Sequence, residues 1–276
     1  MPELPEVETT LRGLRRVIEG EIIQHAVVRC QQLRWPIVDH FSACVRQQRV
    51  QSLTRRGKYM MMALDTGWLI LHLGMSGHWR FLTKAPPPAR HDHVDLVLGQ
   101  GLLRYTDPRR FGAIIWTNCP PDQHALLNRL GAEPLTAEFN ADYLLQHATG
   151  RRCAVKSFIM DNHHVVGVGN IYATEALFLA GIHPRMPAGL LSLGQAARLV
   201  DVIKTVLTDA IEQGGTTLND FINPEGQAGY FSQKLHAYGR QGSPCTGCGQ
   251  SLEACQLGQR RSVFCPQCQP ETGDMS

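Results

Sequence analysis

Apolar positions recur every three or four residues near the start of the chain, where Val7, Leu11, Leu14 and Ile18 form one helical stripe between charged neighbours. Pro5 suits a first helical position, and Glu6 and Glu8 in the first turn complement the helix dipole, so the pattern predicts a helix over 5–18. The period then shortens. Runs at 22–29, 50–53, 59–64, 68–73, 78–82, 93–98, 102–105 and 113–116 predict strands. Turn signals such as Asp65-Thr66-Gly67 and Gly99-Gln100-Gly101 separate them at close spacing, as in a sandwich or barrel of antiparallel strands. Past about residue 125 helical periodicity returns, over 126–130, 141–147, 155–160, 171–180 and 193–213, and Gly214-Gly215 supplies a stop. Residues 219–231 read as a mobile loop, and clustered cysteines follow from 236.

The expected class is therefore α+β. A β-sandwich over 1–124 begins with the 5–18 helix, a helical domain covers 125–235, and a small cysteine module with a tail covers 236–276. At 276 residues with 43% hydrophobic and 18% charged content, the chain can bury a sizeable core and is not mainly disordered. Its richest apolar patch, from Trp68 to Met75, is too short to span a bilayer. Met-Pro-Glu-Leu-Pro-Glu has neither the basic nor the apolar region of a signal peptide. A cytoplasmic protein without a disulfide framework is expected, so the nine cysteines need another use.

A net charge of +3 by itself indicates no partner. Its distribution says more. Basic knots occur at Arg49, Arg55, Arg56 and Lys58, at Arg104, Arg109 and Arg110, and at Arg151, Arg152 and Lys156. Each alone reads as an ordinary solvated face; together they favour a polyanion.

Cys245-x-x-Cys248, sixteen residues and then Cys265-x-x-Cys268 match a closed four-thiolate zinc site. Such a set leaves no open coordination position, so one structural Zn2+ would hold a short hairpin together. Cys255 is off the spacing, and Cys30, Cys44, Cys119 and Cys153 read as small core residues. The hairpin carries Arg260-Arg261, which suits a reach into a nucleic-acid groove and equally a solvated turn.

Removal of Met1 would leave Pro2 as a secondary amine. An α-amino group titrates near ~7.7–8.0, and the positive start of a helix lowers that further. A secondary amine attacking a sugar aldehyde carbon gives a cationic iminium, an electron sink that favours elimination next to it. Glu3 and Glu6 place carboxylates nearby for proton transfer. Gly167-Val168-Gly169-Asn170 reads as a close-approach turn, with Asn170 as N-cap of a helix whose free N–H groups face an anion. A plain helix connection explains that turn about as well.

These motifs occur in a meaningful order. Pro2-Glu3-Leu4-Pro5-Glu6-Val7-Glu8-Thr9, Arg56-Gly57-Lys58-Tyr59 and His72-Leu73-Gly74-Met75-Ser76-Gly77 come first. His91-Asp92-His93-Val94-Asp95, Tyr105-Thr106-Asp107-Pro108-Arg109-Arg110-Phe111-Gly112, the Gly167–Asn170 turn and the cysteine finger follow. Across essentially its whole length the chain resembles the bacterial formamidopyrimidine-DNA glycosylases. Endonuclease VIII, the sister branch acting on oxidised pyrimidines, is similar at the start and the finger, but Leu4 and Val7-Glu8-Thr9 fit the oxidised-purine branch better.

The resemblance implies a base-excision glycosylase with AP-lyase activity, a β-sandwich with a catalytic N-terminal helix, and a helix-two-turn-helix domain with a β-hairpin zinc finger. It implies damaged double-stranded DNA as partner, a monomer, and a cytoplasmic location at the bacterial nucleoid. Pro2 would be the Schiff-base nucleophile, Glu3 the general acid/base, Lys58 an aid to β-elimination, and Arg260 the finger arginine assisting δ-elimination. His91, Arg151 and Asn170 would hold phosphates. Met75, Arg109 and Phe111 would fill the gap left by an everted nucleotide, and the 219–231 loop would close over its base. A non-catalytic damage-binding module and a zinc-finger transcription or RNA-binding protein are the other classes the residues leave open.

Overall fold

The computed structural model describes residues 2–215 and 235–271, which fall into two compact units. The segment 219–231, read from sequence as a mobile loop, lies outside the described residues. The first unit holds residues up to 129 together with 213–215, and the second holds 130–212 and 235–271.

The first unit opens with helix α1 (Leu4–Ile18), whose predicted stripe of Val7, Leu11, Leu14 and Ile18 is buried. Strand β1 (Ile22–Ile23), strand β2 (His25–Val28), short helix α2 (Phe41–Val45) and seven longer strands follow. These strands are β3 (Gln48–Arg56), β4 (Tyr59–Leu64), β5 (Trp68–His72), β6 (His78–Leu82), β7 (Asp92–Leu98), β8 (Gly101–Thr106) and β9 (Ala113–Thr117). They form two antiparallel sheets, ordered β1-β3-β4-β5-β9 and β2-β7-β8-β6. Leu11 and Leu14 of α1, Leu53, Met60 and Leu71 of the first sheet, and Trp79, Val94 and Leu103 of the second share one core. This is the expected sandwich, closed by its N-terminal helix.

The second unit has α3 (Ala141–Ala148), α4 (Val155–Ile159), α5 (Asn170–Ala180), α6 (Leu193–Glu212) and a hairpin of β10 (Glu253–Leu257) and β11 (Arg260–Phe264). Helix α5 is apolar on nearly every side and buried along most of its length, so it is the axis on which α4, α6 and β11 pack. Helix α6 stops at Glu212, just before Gly214 and Gly215 take φ of +76° and +84°. Among the described residues no helix is long and apolar enough to cross a membrane.

Several local expectations need correction. Residues 22–29 form two strands, because the chain leaves one sheet at Ile23 and joins the other at His25. Residues 126–130 are turns: the segment is too short to propagate a helix before Gly131, where a Cβ would meet the His164 carbonyl oxygen at 2.4 Å. Helix α2 gave no periodic signal, being barely one turn long. Cys30, Cys44, Cys119 and Cys153 are not core residues; two are half-buried and two exposed, while the off-spacing Cys255 is the buried one.

Arg104 is the main internal ion. It is 2% exposed and grips Asp95 with Nε and Nη2 at 2.8 and 2.9 Å, with Asp92 at 3.4 Å from Nη1. Replacing it with Met leaves Asp95 with Arg29 and Asp92 with Arg80 as their remaining cationic partners, so Arg104→Met is expected to lower unfolding stability by about 1–3 kcal/mol in urea titration. A loss within experimental error would show that the pair carries no structural load.

Candidate nucleic-acid interface and metal centre

In the first unit the candidate residues lie at the head of α1 and in the connections between strands. Pro2 and Glu3 stand at the head of α1, both buried, Glu3 to 3% exposure. Glu3 is the N-cap: its backbone N–H donates to Glu6 Oε2 at 2.8 Å, and the reciprocal bond completes a capping box. Glu6, read from sequence as a proton-transfer group, is therefore held as a cap. Further along α1, Glu8 pairs with Arg55 at 2.8 Å and pins the helix to the end of β3. Burial alone would raise the Glu8 pKa, but Arg55 and Arg12 lower it overall.

Lys58 follows Gly57, whose φ of +57° makes the tight β3–β4 turn, and its side chain is buried to 7% exposure. His72 ends β5 opposite Tyr59, with ring centroids 4.8 Å apart. Burial, then the charges of Lys58 and Arg34, bring the His72 pKa down to about 4, so its ring is neutral and accepts the Gly74 N–H at 3.0 Å on Nδ1. That bond shapes the turn carrying Met75.

Met75 is half-buried and Phe111 is 46% exposed, unlike the core positions that apolar side chains usually fill. The Arg109 guanidinium lies over the Phe111 ring at 4.9 Å. His91 is half-buried and lines a cavity of about 400 Å³ with Arg29, Arg90, His93 and Arg110. The basic knot of Arg104, Arg109 and Arg110 is thus divided, with Arg109 and Arg110 at the surface and Arg104 inside.

In the second unit Arg151 is exposed at the approach to α4. Lys156 is not a surface cation. It is 1% exposed, and its Nζ donates to Thr174 Oγ1 (2.8 Å) and Ser262 Oγ (2.7 Å), tying α4 to α5 and to β11. Between α4 and α5 two successive turns run through Asp161, whose carboxylate accepts the His163 N–H at 3.0 Å. Gly167, just beyond these turns, takes φ of +83°. The N-cap of α5 is Gly169, not Asn170; Asn170 is the first helical residue, because Gly169 has the extended backbone an N-cap requires. The Asn170 Oδ1 is buried without a hydrogen-bond partner.

Strand alternation separates the two finger arginines. Arg260 shares a face with Ser262, the residue bonded to Lys156, and lines a cavity of about 270 Å³ with Lys156, Met160 and Asp161. Arg261 points to the other face.

The four predicted cysteines converge, with all four sulfurs within 4.8 Å of one another. Cys245–Cys268 and Cys248–Cys265 sulfur separations are 3.9 and 3.5 Å, near the edge of about 3.8 Å that a tetrahedron of ~2.3 Å Zn–S bonds would have. Gly247 and Cys268 N–H groups each donate to a ligand sulfur at 3.4 Å. Burial raises the Cys245 pKa, but the N–H groups of Cys248 and Gly247 bring it down to about 7, while hydrogen bonding with Cys248 and burial push Cys268 up to about 12. The thiols alone do not all ionise together, and a divalent cation at their centre removes that conflict. The residues fit a metal.

Sequence reading gave no role to two groups that hold the finger. Glu175 of α5 accepts the N–H groups of His236, Ala237 and Tyr238 at 2.7–2.9 Å. Gln269 accepts from Cys265 N–H and donates to the Ile182 carbonyl at 2.9 and 2.8 Å. Only an acidic residue on an otherwise apolar helix hinted at the first.

Comparisons with known proteins agree with this geometry. Residues 1–114 match the family model described as the formamidopyrimidine-DNA glycosylase N-terminal domain, and residues 130–222 that of the formamidopyrimidine-DNA glycosylase H2TH domain. A Pseudomonas putida protein named formamidopyrimidine-DNA glycosylase is 55% identical over 270 residues, which is 98% of this chain and 100% of its own length. The crystal structure of the MutM (Fpg) protein from Thermus thermophilus is similar at 37% identity and a TM-score of 0.87, over 98% of this chain and 99% of that one. A Lactococcus lactis Fpg variant in complex with Fapy-dG-containing DNA is similar at 31% identity and a TM-score of 0.89, over 98% and 100%.

Two measurements check the local readings. Chelation, or Cys268→Ser, is expected to strip hydrogen-exchange protection from 253–264 while leaving the β-sheets protected; retained protection would show that the thiolates do not hold the hairpin. His72, whose pKa of about 4 lies below its unfolded value of ~6.5, leaves the unfolded chain binding the extra proton between those limits. Stability should therefore fall as pH drops from about 6.5 to 4, and His72→Gln should flatten that slope; an unchanged slope would place the proton elsewhere.

Proposed function

The chain belongs to the formamidopyrimidine-DNA glycosylase family, and on that premise we propose how it removes oxidised purines from duplex DNA. It is a base-excision-repair glycosylase with AP-lyase activity. The observation that carries the mechanism is the start of α1, where Pro2 and a buried Glu3 head a fully capped helix beside the turn that bears Lys58.

With Met1 removed, the Pro2 amine sits at the positive end of α1, which favours its neutral, nucleophilic form. Its nitrogen bonds to C1′ of the damaged nucleotide as the bond from C1′ to the base breaks. Glu3 delivers a proton to the ring oxygen as the sugar opens, leaving an iminium joined to Pro2. Loss of a C2′ proton then expels the 3′ phosphate, and loss of a C4′ proton expels the 5′ phosphate. Water finally releases the sugar fragment from Pro2. Lys58, beside the neutral His72, serves the first elimination, and Arg260 steadies the phosphates for the second.

The base must leave the stack for C1′ to be reached, at a cost of a few kcal/mol. The half-buried Met75 and the exposed Phe111 offset that by filling the gap, and Arg109 faces the orphaned base. His91, Arg151 and Asn170 hold flanking phosphates. One Zn2+ on Cys245, Cys248, Cys265 and Cys268 is structural, since four thiolates leave no open position. The place of action is the cytoplasm, at the nucleoid. A lesion in the Lactococcus lactis neighbour's DNA, Fapy-dG, belongs to the oxidised-purine class proposed as substrate here.

Borohydride trapping on a duplex with 8-oxoguanine opposite cytosine tests the mechanism. A covalent adduct is expected, and an uncleaved leader before Pro2 is expected to abolish it. Glu3→Gln should slow base release by about 10²–10⁴-fold. Trapping undiminished by the leader would point to a lysine nucleophile, and binding without any adduct would leave a damage-binding module.

A further inference from the structure

The turns that present Met75, Arg109 and Phe111 share one buried carboxylate. Asp107 directly follows β8 and has 0% exposure. Its Oδ1 accepts hydrogen bonds from Ser76 Oγ at 2.8 Å and Arg109 N–H at 3.2 Å. Its Oδ2 accepts from Gly112 N–H at 2.9 Å and the Tyr105 hydroxyl at 3.2 Å. Ser76 adjoins Met75, and Arg109 and Gly112 bracket Phe111, so the one side chain binds both turns.

The hub is itself fixed. Asp107 N–H donates to the His91 carbonyl at 3.0 Å, and its own carbonyl accepts the Arg110 N–H at 3.2 Å and lies 2.7 Å from His93 Nε2. The two turns also touch backbone to backbone. Gly74 has φ of +66°, and a Cβ there would lie 2.4 Å from the Phe111 carbonyl carbon. Burial and the Asp107 charge push the Tyr105 hydroxyl pKa well up, so it stays protonated and donates.

We infer that Asp107 is a positioning residue for base eversion, locking the Met75 turn and the Arg109–Phe111 turn into one rigid wedge. The inference rests on the gap-filling roles proposed above. An ionised carboxylate suits the task because it only accepts, with room for all four donors. Asparagine keeps the shape but turns an N–H2 toward two of them. A wedge whose halves move independently must be ordered each time it enters the stack, so its loss falls on duplex substrates. A preformed abasic site in a single strand has no stack to open.

The test compares wild type, Asp107→Asn, Met75→Ala and the double variant on an 8-oxoguanine:cytosine duplex and on a single strand with an abasic site. Each single variant is expected to lower the duplex-to-single-strand rate ratio about tenfold, and the double to fall no more than about twofold below the worse single. Asp107→Asn slowing both substrates equally, or losses that multiply in the double, would overturn the inference while a split in Met75→Ala leaves the wedge reading standing. A Met75→Ala enzyme without any split would sink both. Should Asp107→Asn fail to fold, Ser76→Ala removes one donor and keeps the carboxylate. It is expected to show a smaller fall of the same ratio, and an unchanged ratio overturns the inference.

Discussion

A backbone amide taken out of water needs an acceptor, and several segments that carry candidate residues are turns or a helix start, where no ladder or helix supplies one. Carboxylates supply it. Glu6 takes the Glu3 amide at the head of α1, Asp107 takes those of Arg109 and Gly112 after β8, and Glu175 takes three in a row at 236–238. All three side chains are almost fully buried. Bonds from amides to an ionised acceptor are short and strong, and loss of the acceptor leaves several buried donors unpaired at once. Each functional turn is therefore as well determined as a strand.

That rigidity matters because the chemistry begins with an unfavourable step. Extruding a nucleotide costs stacking energy before any bond is made or broken, and a side chain offsets that cost only if it already points into the gap. The exposed Phe111, with Arg109 laid over its ring, is held by groups that never reach the surface. The same division applies to charge. Arg104 and Lys156 belong to basic knots in sequence yet sit inside, one bracing the second sheet and the other bracing the finger. The cations left for phosphates are fewer than the sequence count suggests, and what they gain on DNA comes through counterion release.

Much of this was legible in the chain. The α1 stripe, most strands, the central helices and the paired Cys-x-x-Cys knuckles follow from local periodicity and spacing, because a helix face, a pleat and a tetrahedral ion each impose their own repeat. Pro2 and Glu3 stood out by chemistry and by family resemblance, and Lys58 by the resemblance alone. Asp107 did not. In sequence it was a mere interruption in a run of arginines, and a single acidic letter carries no sign of how many amides will surround it.

Sequence alone thus determined the class of fold and the cysteine cluster that fits a metal, which depend on short-range patterns that survive without neighbours, and through family resemblance the class of reaction. Tertiary structure decided which basic residues face outward, which of Arg260 and Arg261 shares a face with Ser262, and what holds the Met75 and Phe111 turns together. Those outcomes depend on burial and on partners that local pattern does not pair, such as Thr174 and Ser262, 18 and 106 residues from Lys156, and only the folded chain brings such groups within hydrogen-bond range.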